Sequence, residues 1–305
     1  MNAPLLTRPV QFFTGKGGVG KSTVLGALAT AAARAGKRPL IVELGIHTSS
    51  SHLFHGPDVG YDPSEVAPGI HATRVVFEPA LIDYVTSRLK LRPIAVLVAR
   101  NNSLRRLFMA APGVDEIVTL HRVAQLASDG RWDPILVDLE STGHALMFFD
   151  LPQVLEVFLK DGPLRQVLDS ATALVRDPER CAVHVVTVPE PLAVRETVQL
   201  YDGLKSREDL HLGHLFINRV PRQWLDETEQ RLVEQELERD GAGGPWAEDL
   251  ALADYLIRRR KTAEKCLRGL RRDIPLPVMI LDEHEEDSSR IIEALCGTLQ
   301  RTGAW

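Results

Sequence analysis

Nine consecutive residues set most of what this chain can fold into: Gly15-Lys16-Gly17-Gly18-Val19-Gly20-Lys21-Ser22-Thr23. They satisfy the pattern G-x-x-x-x-G-K-[ST], in which glycines let the backbone curl so that successive N–H groups point at phosphate oxygens. The context is the one the pattern requires. Pro9–Phe13 reads as a short buried strand, and Val24–Ala35 as a helix that Gly36 stops. A second apolar strand, Pro39–Leu44, completes a strand–loop–helix–strand unit, so the heart of the sheet should be parallel. The helix beginning near Lys21 adds the positive end of its dipole to the cradle. In this reading Lys21 reaches the β- and γ-phosphates of ATP, Ser22 ligates Mg²⁺ and the Thr23 hydroxyl meets the α-phosphate.

Further apolar strands are read at Ile135–Asp138, Val183–Val188 and Leu215–Asn218, with a short one at Val75–Phe77. Helical patterns lie between them: 79–127, broken at Ala111-Pro112-Gly113; the charged stretch Asp226–Asp240; a basic helix with Arg258, Arg259, Arg260 and Lys261; and Ser288–Gln300. Thr48–Gly69, rich in Ser, His, Gly and Pro, reads as a loop, and its His47, His52 and His55 neighbourhood matches no tight metal motif. The expectation is one α/β domain over 1–305, a doubly wound, mostly parallel sheet of the P-loop NTPase fold, with a helical subdomain at about 79–127 inserted on one face.

The segment Trp132-Asp133-Pro134-Ile135-Leu136-Val137-Asp138 is an apolar strand ending in a carboxylate. After a P-loop such an Asp orients a Mg²⁺ ligand, which makes Asp138 the second metal residue beside Ser22. Leu139-Glu140-Ser141-Thr142-Gly143-His144 follows, and Gly143 could present its N–H to the γ-phosphate as a switch loop does.

These motifs together resemble the arsenite-pump and tail-anchored-protein-targeting ATPases, ArsA-like members of the deviant Walker A class that also holds MinD and ParA. Lys16–Ser22 is similar to that family's K-G-G-V-G-K-[ST]. Asp138, Thr142, Gly143, His144 and Leu146 match its D-x-x-x-T-G-H-x-L, and Leu151-Pro152 resembles the segment that follows. Phe216-Ile217-Asn218-Arg219-Val220 resembles the adenine-side strand, and Pro275-Leu276-Pro277 the loop that closes over the base. The resemblance implies ATP and Mg²⁺ as ligands held by Gly15 through Thr23, Gly143, Asn218 and Pro277. It implies a homodimer or heterodimer in which Lys16 reaches the partner's nucleotide, and a protein client.

One departure bears on hydrolysis. The resemblance places an Asp in the loop after the second strand to orient the attacking water, and the chain reads Val42-Glu43-Leu44-Gly45-Ile46-His47 there. Slow or impaired hydrolysis is therefore expected, with Glu140 the substitute base and Glu43 turned to another face of its strand. The alternatives are a MinD- or ParA-like spatial regulator and a non-hydrolysing subunit that binds ATP for assembly. A formal charge of −5 argues against nucleic-acid partners, no run of about 18 apolar residues suggests membrane insertion, and no leader is visible, so the cytoplasm is the expected compartment. Cys181, Cys266 and Cys296 are scattered rather than clustered as arsenite activation requires. Only four methionines are present, too few for the flexible apolar groove of a tail-anchor carrier.

Overall fold

The computed structural model describes residues 5–44, 49–89, 114–139, 145–150, 163–207, 209–240 and 246–301. In chain order the elements are β1 (Val10–Thr14), α1 (Lys21–Arg34), β2 (Leu40–Leu44), α2 (Ser49–Phe54), β3 (Ser64–Ala67), β4 (Ile70–Val75), α3 (Phe77–Leu89), α4 (Val114–Ser128) and β5 (Ile135–Asp138). They continue as α5 (Pro163–Arg176), β6 (Cys181–Thr187), α6 (Pro191–Lys205), β7 (Leu212–Val220), α7 (Glu227–Asp240), α8 (Ala247–Asp273), β8 (Val278–Asp282) and α9 (Ser288–Arg301).

The strands form an 8-stranded sheet in the order β3-β4-β2-β5-β1-β6-β7-β8. Every neighbouring pair is parallel except the β3–β4 hairpin. This is the doubly wound arrangement expected from the alternation of strands and helices. Residues of β1 alternate between two cores, as strand geometry requires. Val10 and Phe12 pack with Val118, Leu174 and Leu200 under α4, α5 and α6. Phe13 packs with Leu25, Leu28 and Leu295 under α1 and α9. Both faces are covered, which is why β6 is buried along its whole length and carries no polar-out alternation.

Two sequence readings change. The stretch read as a loop holds α2 and β3, which pairs with β4 just after it, and the strand read at Val75–Phe77 is the end of β4, which runs from Ile70 to Val75. Ile70, Ala72 and Val75 are buried against β2, a strand signal masked by the surrounding Ser, Gly and Pro. The final helix packs on α1, with Ile292, Leu295 and Leu299 buried and Glu293 paired to Arg34 at 2.5 Å. The basic run on α8 is engaged within the chain: Arg258 with Asp254, Arg259 with Glu283, Arg260 with Glu264 and Lys261 with Glu234.

Candidate functional site

The carboxyl ends of the parallel strands, around the point where the connections diverge from β1 to either side, form the crevice where doubly wound sheets bind ligands. The Gly15–Thr23 loop lies there, between β1 and α1. Two glycines explain its path. A Cβ on Gly15 would stand 2.1 Å from the Val186 carbonyl oxygen, so only glycine lets the loop leave β1 against β6. Gly20 has φ +86°, and a Cβ there would stand 2.4 Å from Asn218 Nδ2. Asn218, buried at the end of β7, donates from Nδ2 to the Val19 carbonyl at 2.9 Å and so braces the loop from a strand 199 residues away.

The loop is built for an anion. Gly20 caps α1 without a side-chain hydrogen bond, and no acidic residue stands in the first turn, so the helix's N-terminal N–H groups face outward unopposed. Lys21 folds its ammonium back over the loop, with the Gly15 carbonyl 3.1 Å away. Neutral carbonyls are weak partners for an ammonium, so a phosphate would displace them. The open space around Gly17 and Gly18 leaves room for it.

Beside the loop, Ser22 Oγ donates to Asp138 Oδ2 at 2.6 Å. Two hard oxygen ligands from a helix N-terminus and a strand end, side by side, suit Mg²⁺. Burial raises the pKa of Asp138, the Ser22 hydrogen bond and Lys21 oppose the rise, and Glu43 adds to it. The influence of Glu43 is a difference from the sequence reading. Its Cα is the register partner of Asp138, and register partners on neighbouring strands share a face. Glu43 is buried, its Oε1 accepts from Ser50 N and Oγ at 2.6 and 2.9 Å, and its Oε2 is buried without a partner among the described residues. Alternation along β2 turns Glu43 away from its sequence neighbour Leu44, but register with β5 sets it on the Asp138 face.

Lys16 is held within its own chain: Nζ lies 2.8 Å from Glu196 Oε2 and 3.0 Å from Oε1, on α6. Glu196 carried no sequence signal, since it stands in an ordinary amphipathic helix. Arg219, next to Asn218 in the adenine-side segment, also reaches the loop. It adopts φ 53°, and its guanidinium comes within 3.9 Å of where a Gly20 side chain would begin.

Pro277 is not brought to this site. It precedes β8, and its carbonyl accepts from Leu215 N in the middle of β7. Because β7 and β8 are parallel, that is the end of β8 away from the P-loop, and the segment after β8 is the one that returns to it. There Glu283, Arg259, Tyr255, Arg219 and Pro189 line a cavity of about 370 Å³ beside Asn218's strand end. Glu140 and Gly143 lie outside the described residues, as do Gly45 and His47.

With this geometry in place, comparison with known proteins is specific. Residues 8–162, about half of the chain, match the family model described as anion-transporting ATPase. ATPase BagA of Mycobacterium tuberculosis is 26% identical over 239 residues, covering 74% of this chain and 70% of its own length. ATPase ASNA1 homolog 1 of Paramecium tetraurelia is 24% identical over 249 residues, covering 68% of this chain and 74% of its own. Among the described residues no helix is long and apolar enough to cross a membrane.

Proposed function

Since the chain belongs to the anion-transporting ATPase family, whose ArsA-like members bind nucleotide, we propose that it is a dimeric ATP-driven switch that hydrolyses slowly and passes its nucleotide state to a protein client. The observation that carries this reading is the juxtaposition of an uncapped helix N-terminus, Lys21 over its loop, and the Ser22–Asp138 pair.

The donor set fits MgATP residue by residue. Lys21 and the N–H groups of Gly17 through Thr23 bind the phosphates, and Ser22 and Asp138 hold Mg²⁺. When bound, the cation neutralises phosphate charge and draws electrons from the γ-phosphoryl group. Asn218 keeps the loop in its phosphate-ready shape, and the cavity under Tyr255 and Arg259 accepts the adenine. Lys16 leaves Glu196 and crosses to the partner's nucleotide, where its charge stabilises the closed dimer. The helical stretch at about 79–127, which contains most of α3 and α4, follows the switch loop after Asp138 and presents the result to the client.

Hydrolysis is slow because Leu44 and Gly45, where an Asp would orient water, offer no side chain that can accept a hydrogen bond. Glu140 is the substitute base. All three cysteines are buried and separate, on β6, α8 and α9, which supports a client other than an arsenical.

Two measurements test this. Lys21→Ala should abolish ATP binding in isothermal titration, because the β- and γ-phosphates lose the lysine that folds over their own loop; unchanged affinity would refute the P-loop assignment. Steady-state turnover of the purified chain should be slow and should fall further in Glu140→Gln. A brisk rate that survives Glu140→Gln would overturn the impaired-switch reading while leaving nucleotide binding intact.

A further inference from the structure

A second cavity lies at the other end of the sheet. It encloses about 810 Å³ between α3, α4, the β3–β4 hairpin and the segments that lead into β2 and β5. Strand direction places it away from the P-loop. Arg38 precedes β2, His71 stands near the start of β4 and Trp132 precedes β5, whereas the P-loop follows the end of β1.

Its lining holds unspent hydrogen-bonding capacity. Trp132 is only 7% exposed, and its indole Nε1 has no partner among the described residues. Arg122 Nε, Thr86 Oγ1 and His71 Nδ1 are also buried and unpartnered among them, and all four residues line this one cavity. Left dry, each such group would cost about 1–3 kcal/mol, so the hollow has to be filled by water or by a ligand that offers matching groups.

The charges are unevenly committed. Asp83 accepts from the Tyr61 hydroxyl and pairs with Arg122. Asp129 pairs with Arg131, and Glu65 accepts the Gly69 N–H. Arg38 is different. It is exposed at the rim; its guanidinium lies over the Trp132 ring, 4.8 Å from the centroid, and among the described residues it makes no hydrogen bond or ion pair. Asp62, also exposed at the rim, has no ion pair among the described residues. Burial, with Arg38 adding to it, lowers the pKa of His71, which keeps the imidazole neutral and its free Nδ1 able to accept.

We propose that this cavity binds a small carboxylic acid that also carries an amino or hydroxyl group. Arg38 and the Trp132 N–H take the carboxylate, and Asp62 and His71 accept from the ligand's donor. The Arg38 cation over the Trp132 ring and the indole donor in the ring's edge are the two groups on this wall that suit a carboxylate. The free carboxylate disfavours an anion that has no donor of its own. The volume falls in the range of small-molecule sites and exceeds what an inorganic ion fills. The site needs no nucleotide and stands whether or not the P-loop reading does.

The test uses the full chain with Trp224, Trp246 and Trp305 changed to Phe, which leaves Trp132 as the single indole. L-glutamate, L-malate and inorganic phosphate are titrated while its emission is followed. Glutamate or malate should give a saturable shift that phosphate does not. Arg38→Met should weaken binding at least about tenfold, the worth of one charge-assisted contact. Thr86→Val, nearly isosteric, should weaken it less, and it secures the result if Arg38→Met fails to fold. Lys21→Ala should leave the response intact, since the P-loop is elsewhere. No saturable response up to about 10 mM, the weak end of small-molecule affinity, would overturn the proposal. So would a phosphate response equal to that of the organic acids, or binding unchanged by both Arg38→Met and Thr86→Val.

Discussion

Changing Glu196 to Gln should strengthen ATP-induced dimerisation. In the single chain, Lys16 is occupied by Glu196 at 2.8 Å. A lysine that crosses to a partner's nucleotide must first leave that carboxylate, so the contact competes with assembly. The size of the effect follows from exposure. The two side chains are 37% and 34% exposed, which puts the pair among surface ion pairs worth about 0–1 kcal/mol. A symmetric dimer releases two such pairs, so their loss favours association by up to about 2 kcal/mol, roughly thirtyfold in the dimer dissociation constant. Folding stability should scarcely change, with a melting shift under about 2 °C.

Sedimentation velocity with MgATP reads the dissociation constant directly. Lys16→Ala should weaken association, and Glu196→Gln should strengthen it by up to about thirtyfold. The gain should shrink at high salt, because the competing pair is itself screened. If Glu196→Gln instead weakened association as Lys16→Ala does, Glu196 would be holding Lys16 in its working position, and the competition argument would be wrong.

Two further outcomes follow from the loop and the core. Gly20→Ala should lower ATP affinity, because a Cβ at φ +86° costs about 1–2 kcal/mol and would displace Asn218 from Val19; Gly17→Ala, with nothing within 4 Å, should leave the fold unchanged, and equal melting temperatures for the two variants would refute this account. Acid should destabilise the chain through His184, whose pKa is held well below its ordinary value by burial, with His214 adding to it. The unfolded chain takes up the proton near pH 6.5 and the folded one resists, so stability is complete above that pH and falls by about 1.4 kcal/mol by pH 5.5. Urea unfolding at the two pH values measures it, and His184→Asn, which keeps an acceptor for the His214 N–H now 2.9 Å away, should flatten the dependence. An equally steep dependence in that variant would exclude His184 as its source.

The parts of the site legible in the sequence are those whose chemistry is local. The P-loop's glycines, Lys21 and Ser22 act through the backbone of nine adjacent residues, and Asp138 ends an apolar run long enough to name a strand. Glu196 was invisible because its importance comes from lying opposite Lys16, 180 residues away, on a helix whose pattern is explained by core packing alone. Pro277 was misplaced because strand direction, which a proline-flanked run does not encode, decides which end of β8 meets the nucleotide crevice. The β3–β4 hairpin was missed because its buried residues are few and its neighbours are turn formers. Fold-level alternation survived all of these errors, since it depends on many residues at once.

Glu43 shows how register adds a constraint that motif reading lacks. Two buried carboxylates, Asp138 and Glu43, occupy partner positions on adjacent strands, with Lys21 near Asp138 as an opposing charge. Ser50 satisfies one Glu43 oxygen and leaves the other buried and, among the described residues, bare. Like charges in a dry site destabilise each other until a cation arrives. When Lys21 turns from its loop carbonyls to a phosphate, the carboxylates lose part of its influence just as the phosphate brings more negative charge. If the proposed function holds, a divalent ion on Ser22 and Asp138 would offset both changes together. The pairing would then couple cation to nucleotide more tightly than Asp138 alone could, and the added coupling would come from Glu43 on β2.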